Sequence, residues 1–258
     1  MSTNAKFLAQ RPTPPSPPLT TVWAMTVGIT ETEPLTKPSA KSSADEDAQA
    51  LHEWLTQQAD VSADRALLLT RQSPAFYQRS TQPTRSTLSY WMGQLRTHGI
   101  RMGDTLWFFW SGPGWCWDGD DYLLPLDAAS SCPPLNGIKV RSLFNALKSL
   151  PTDRIVVFLD LHWNNQPADA KPADVQRWGS QTQHIAQQLG ITTVLLTQSE
   201  GNRSSARSAH LGQGLFTAAL LDTFRSHGEH QGLPTFLERF SHHLSSLCDP
   251  LDRDCPTV

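Results

Sequence analysis

The chain has 258 residues, a formal net charge of −3 and 38% hydrophobic side chains, sufficient for a single large core. The near-neutral balance gives no general electrostatic drive toward nucleic acid or an anionic membrane surface, and no apolar run forms a secretory h-region or reaches membrane-spanning length, so neither partner class is expected and a cytoplasmic location is. Cys116, Cys132, Cys248 and Cys255 make no C-x-x-C pair and no zinc-finger spacing, which excludes the usual metal and disulfide frameworks and suits a reducing compartment.

Residues 8–20 are rich in proline, serine and threonine, a composition that favours extended chain over a packed core. The expected organisation is a Pro-rich leader over 1–20, free of fixed structure, and one domain over 21–258. TVWAMTVGI (21–29) reads as a buried strand, DEDAQALHEWLTQQA (45–59) as a helix with acidic residues in its first turn, and ALLLT (66–70) as a second strand. Residues 84–98 carry Leu88, Trp91, Met92 and Leu95 at helical spacing and stop near Gly99. DTLWFFW (104–110) is a third strand, expected to end in a stiff Gly-Pro-Gly turn at 112–114.

YLLPLD (122–127) reads as a short extended piece, with loop in the Pro- and Ser-rich stretch after it. A helix over 140–150 closed by Pro151, a strand over 154–160, a helix over 176–190 with Gly190 past its end, and a strand over 191–199 follow. Helices over 211–228 and 233–247 complete the chain. Buried strands alternating with amphipathic helices predict an α/β fold whose central, mostly parallel sheet is flanked by helices on both faces.

Three stretches in order carry a resemblance: FFWSGPG (108–114), YLLPLD (122–127) and FLDLHWNN (158–165). They resemble the caspase-like cysteine peptidases, peptidase family C14, in particular the small prokaryotic homologues related to metacaspases and orthocaspases. There one strand ends in Ser-Gly-His-Gly, a Tyr-Leu-Leu-Pro-x-Asp segment follows, and a later strand ends in Asp-x-Cys-His-Ser-Gly. A further strand and a Gly-x-Gly-hydrophobic-Phe-Thr helix within 194–224 are similar too. The resemblance implies a caspase-like fold from about residue 22 onward. It also places the family's general-base histidine at Pro113 and its nucleophilic cysteine at His162.

Thioester chemistry needs a thiolate to attack the carbonyl, and an imidazole to take the thiol proton and return it to the leaving amine. Proline has no titratable group, so the resemblance implies a pseudoprotease: a caspase homologue without its dyad that binds a peptide or protein partner in a scaffolding or regulatory role. Ser111, Gly112 and Gly114 then frame the loop that would have presented the base. Asp160, just before the nucleophile position, and Asp127, ending the Tyr-Leu-Leu-Pro-x-Asp segment, are the candidate pocket for a basic segment of the partner. The alternative is an active cysteine endopeptidase in which Cys116 and His162 have exchanged sides of the cleft. No cofactor is expected. Calcium, a metacaspase activator, has candidate ligands in Asp118, Asp120 and Asp121, although the stretch lacks a twelve-residue calcium loop and a solvated acidic loop is the alternative. Trp107, Trp110, Trp115, Trp117 and Trp163 are either an aromatic binding surface or core fillers closing the site.

Overall fold

A computed structural model describes residues 21–30, 44–128, 132–162, 179–197, 214–226 and 233–248. The Pro-rich leader lies outside them. In chain order the elements are β1 (Val22–Gly28), α1 (Ala44–Gln57), β2 (Ala66–Leu69), α2 (Arg85–Gln94), β3 (Thr105–Trp117), β4 (Asp120–Leu123), α3 (Pro133–Asn136), β5 (Ile138–Lys139), α4 (Val140–Lys148), β6 (Arg154–His162), α5 (Ser180–Leu189), β7 (Thr192–Thr197), α6 (Leu215–Ser226) and α7 (Leu233–Cys248).

Five strands run parallel in the order β2-β1-β3-β6-β7. Strand alternation sends their side chains to two separate cores. Met25, Val27, Leu106, Phe108, Val157 and Leu159 pack on one face, against Leu88 and Trp91 of α2, Leu143 and Phe144 of α4 and Ile185 of α5. Ala24, Phe109 and Phe158 pack on the other, against Leu51 and Leu55 of α1, Phe216 and Leu220 of α6 and Phe240 of α7. Both faces are covered, as a parallel sheet requires. The sheet is mixed overall, because the far half of β3 pairs antiparallel with β4, and β4 with β5.

Helix ends follow their local chemistry. Thr84 caps α2 by accepting from the Thr87 N–H at 3.2 Å, and Gly190, left-handed at φ 61°, closes α5. The chain beyond α2 widens into a five-residue turn over Leu95–Gly99, closed by the Ile100 N–H on the Leu95 carbonyl, so the expected helix over 84–98 ends in a looser coil.

The expected Gly-Pro-Gly turn is corrected: β3 runs straight through it to Trp117. Proline is tolerated because the strand changes partners there. Up to Pro113 it pairs with β6, and from Gly114 with β4, while the Pro113 carbonyl still accepts from the Leu124 N–H at 3.0 Å. Gly112 is needed for close approach, since a Cβ there would lie 3.1 Å from the Ile29 Cβ. The reversal falls at Asp118 and Gly119, both at positive φ (49° and 79°), between the paired residues Trp117 and Asp120. This is a two-residue hairpin, and Asp-Gly is a favoured pair for that geometry. The acidic stretch is therefore a hairpin tip and the start of β4. The loop expected after 127 also holds α3 and the two-residue β5, both too short for periodicity to reveal.

Candidate functional site

The C-terminal ends of β1, β3 and β6 come together beside the start of α1, the edge at which parallel α/β sheets place their ligands. Ser111 on β3 lies level with Asp160 on β6, and its hydroxyl faces two carboxylates, Asp160 Oδ2 and Asp47 Oδ2, each at 3.4 Å. All three side chains are buried. The other oxygen of Asp47 accepts from the Gly214 N–H at 2.7 Å, which ties α1 to the entry of α6. A hydroxyl has one proton to donate, so Ser111 serves one carboxylate at a time.

Asp47 is the member of this buried group that motif reading misses. The signal was present: Asp47 stands four residues before Leu51 and eight before Leu55, in phase with the buried stripe of α1. A carboxylate on the buried face of a helix needs compensation by hydrogen bonds. Its neighbour Asp45 instead makes a reciprocal pair with Thr30, accepting from the Thr30 N–H at 3.1 Å while its own N–H donates to the Thr30 hydroxyl. Burial pushes the Asp45 carboxyl above the usual range and the Thr30 bonds partly offset it.

Pro113 is directly opposite residue 162 in the β3–β6 register, one pair beyond Gly112 and Leu161. The two positions picked out by the motifs are thus neighbours on adjacent strands. Cys116 is elsewhere. It is 5% exposed and packs in the core formed with α2, α4 and α5, whereas Ser111 and Asp160 meet Asp47 of α1, on the opposite side of the sheet. Gly114 is buried at the first β3–β4 pair.

Asp127 is not brought to Asp160 by any described contact. It is exposed, accepts from the Arg85 N–H at 2.9 Å at the start of α2, and its carbonyl accepts from the Asn136 side chain. The three aspartates considered for calcium also diverge. Asp118 is on the hairpin tip, Asp120 is paired with Lys139 at 2.5 Å, and Asp121 is buried, accepting from the Thr182 N–H at 2.9 Å and the Thr182 hydroxyl at 2.6 Å. No cluster of three metal-ligating side chains occurs among the described residues. Trp107, Trp110 and Trp115 belong to the cores, Trp117 is 37% exposed beside the hairpin tip, and Trp163 lies outside the described residues.

A family model for the caspase domain matches residues 21–254. The chain belongs to the caspase-domain family. A crystallised protein from Geobacter sulfurreducens has a similar fold: it is 15% identical, superposes with a TM-score of 0.53, and is matched over 86% of this chain and 88% of its own. At that identity the likeness speaks for the fold alone. No curated protein matches the sequence. Among the described residues no helix of this caspase-domain chain is long and apolar enough to cross a membrane.

Proposed function

We propose that this caspase-domain protein is a pseudoprotease, which binds a peptide or protein partner in a scaffolding or regulatory role and does not cleave it. The observation that carries this reading is the pairing of Pro113 with residue 162 across β3 and β6. The family resemblance assigns the base and the nucleophile to these two positions, and the strand register makes them neighbours, as a working dyad requires. Proline at the base position can neither accept nor return a proton. His162 lacks the thiol sulfur through which the family chemistry forms its thioester.

The ligand chemistry we assign to the cleft is basic. Asp160 and Asp47 gather two carboxylates around one hydroxyl, a setting suited to a lysine or arginine side chain. Asp127, at the α2 entry, is left out of that assignment. The exchanged dyad gains nothing from the position of Cys116, since a reactive thiol needs an electropositive, partly exposed setting and this one packs in the core.

Fluorogenic peptides with Arg, Lys or Asp at the scissile position, with and without calcium, provide the test. No cleavage is expected from the folded wild type or from Cys116→Ser. Cleavage by the wild type that vanishes in Cys116→Ser would replace this reading with that of a rearranged cysteine endopeptidase.

A further inference from the structure

Between Asp64 and Asp104 the chain holds no acidic residue and no lysine, yet it holds six arginines: Arg65, Arg71, Arg79, Arg85, Arg96 and Arg101. A block of charge +6 in a protein of net −3 is an asymmetry with a physical consequence: it creates a local positive field that the total conceals. The block runs from Arg65, just before β2, through the following connection and α2 to Arg101, before β3, and β2 stands at the end of the strand order beside β1.

The connection also displays aromatic surface. Phe76 and Arg79 exchange both backbone hydrogen bonds at 3.0 and 2.9 Å, so Tyr77 and Gln78 form a two-residue turn with φ of 46° and 61°. Turns of this kind normally use Asn or Gly, and non-glycine residues held there cost on the order of 1 kcal/mol each. The strained tip leaves Tyr77 70% exposed. Its ring meets Phe76 edge-on at 4.7 Å, Phe76 meets Trp91 at 5.4 Å, and Trp91 meets Tyr90 at 5.0 Å. The Arg79 guanidinium lies over the Tyr90 ring, 5.4 Å from its centre. Tyr90 is exposed on α2, as are Arg85 and Gly93, and Arg96 is exposed in the wide turn that follows the helix.

We propose that Tyr77, Arg79, Tyr90 and Arg96 form a docking surface for an acidic segment of a partner polypeptide. Planar guanidinium groups pair with carboxylates in bidentate fashion, and tyrosines supply rigid contact area at low entropic cost. Asp45 acts electrostatically on Arg71 and Asp64 on Arg65, so those arginines are offset and the patch rests on Arg79 and Arg96. A polynucleotide is the poorer occupant, because it gains affinity by neutralising a track of some six to ten phosphates. Here the guanidinium of Arg85 is held on the Leu135 carbonyl, and the two cations of the surface, Arg79 and Arg96, are too few for such a track. This surface differs from the basic-ligand cleft in charge and place, and it stands whether or not the cleft cleaves peptides.

The experiment is fluorescence anisotropy on the full chain with a labelled twelve-residue peptide, Glu-Asp-Leu repeated four times, at low and moderate salt. A peptide with lysine in place of each acid and a labelled oligothymidylate serve as comparators. The acidic peptide is expected to bind saturably and to weaken with salt. Arg79→Gln combined with Arg96→Gln is expected to weaken it at least tenfold and Tyr77→Ser at least threefold, with melting curves matching the wild type, since all three side chains are exposed. Absence of saturable binding, equal binding by the variants, or tighter binding of oligothymidylate overturns the proposal. So does a dimer in sedimentation that the arginine variants abolish, which would make the occupant a second copy of the chain.

Discussion

At Gly28 the end of β1 touches the start of α1 backbone to backbone: a Cβ there would overlap the Ala44 carbonyl oxygen and lie 2.8 Å from the Asp45 Cα. Neither obstacle is the tip of a flexible side chain, so the helix itself must move. Gly28→Ala is expected to cost about 3 kcal/mol, at the upper end for overpacking, read as a lower urea midpoint at unchanged slope. Gly93, exposed on α2, has nothing within 4 Å of such a Cβ, and Gly93→Ala is expected to stabilise by about 0.7 kcal/mol through helix propensity. Opposite signs for the same substitution distinguish steric exclusion from chain entropy. Residue-level legibility followed the same division. Ser111 and Asp160 are legible from motif order because each stands two residues before a position that the motifs single out, Pro113 and His162. The proximity of Asp47 to them is not, since it depends on how α1 docks across the sheet.

At the scale of elements, α5 is tethered to the sheet through Asp121 of β4, whose carboxylate accepts from the N–H and the hydroxyl of Thr182 in the first helical turn. Burial pushes its carboxyl up to about 6, above the usual carboxylate range, and the Thr182 bonds restrain the rise. A folded-state value above the unfolded one means that the native state holds the proton longer. Stability from this group is therefore present below about pH 4, falls as pH rises toward about 6, and is level above that. A difference of about two units corresponds to about 3 kcal/mol at most. Asp121→Asn keeps an acceptor for Thr182 and removes the titration, so urea melts between pH 4 and 6 are expected to lose that part of their slope. A slope unchanged in the variant would assign it to other groups. Elements with long periodic patterns, such as α1, α4 and β6, are readable in the sequence because one period fits each. The far half of β3 is misread, because Gly-Pro-Gly is a strong turn signal locally and the arrival of β4 as a partner from Gly114 onward, a tertiary event, is what accommodates it.

For the whole molecule, the order of strands and helices is recoverable from sequence because local alternation and motif order agree with the global packing. The state of the cleft is a different matter, since activity depends on atoms at two positions 49 residues apart in sequence that the β3–β6 register makes neighbours. That register yields a test in which the scaffold is kept and only the two positions change. Pro113→His combined with His162→Cys would place imidazole and thiol on paired positions. The Leu124 N–H bond to the carbonyl of residue 113 survives, because the backbone carbonyl is untouched. Members of a catalytic unit act together, so each single variant is expected to remain at background while the double variant cleaves Arg- or Lys-containing peptides about a hundredfold faster than wild type, the lower range for a positioned general base. If the thiol alkylates readily but no peptide is cut, the divergence extends beyond the dyad to the groups that seat the substrate. Cleavage by the double variant alone would mean that two side chains are all that separate this caspase-domain scaffold from a competent peptidase.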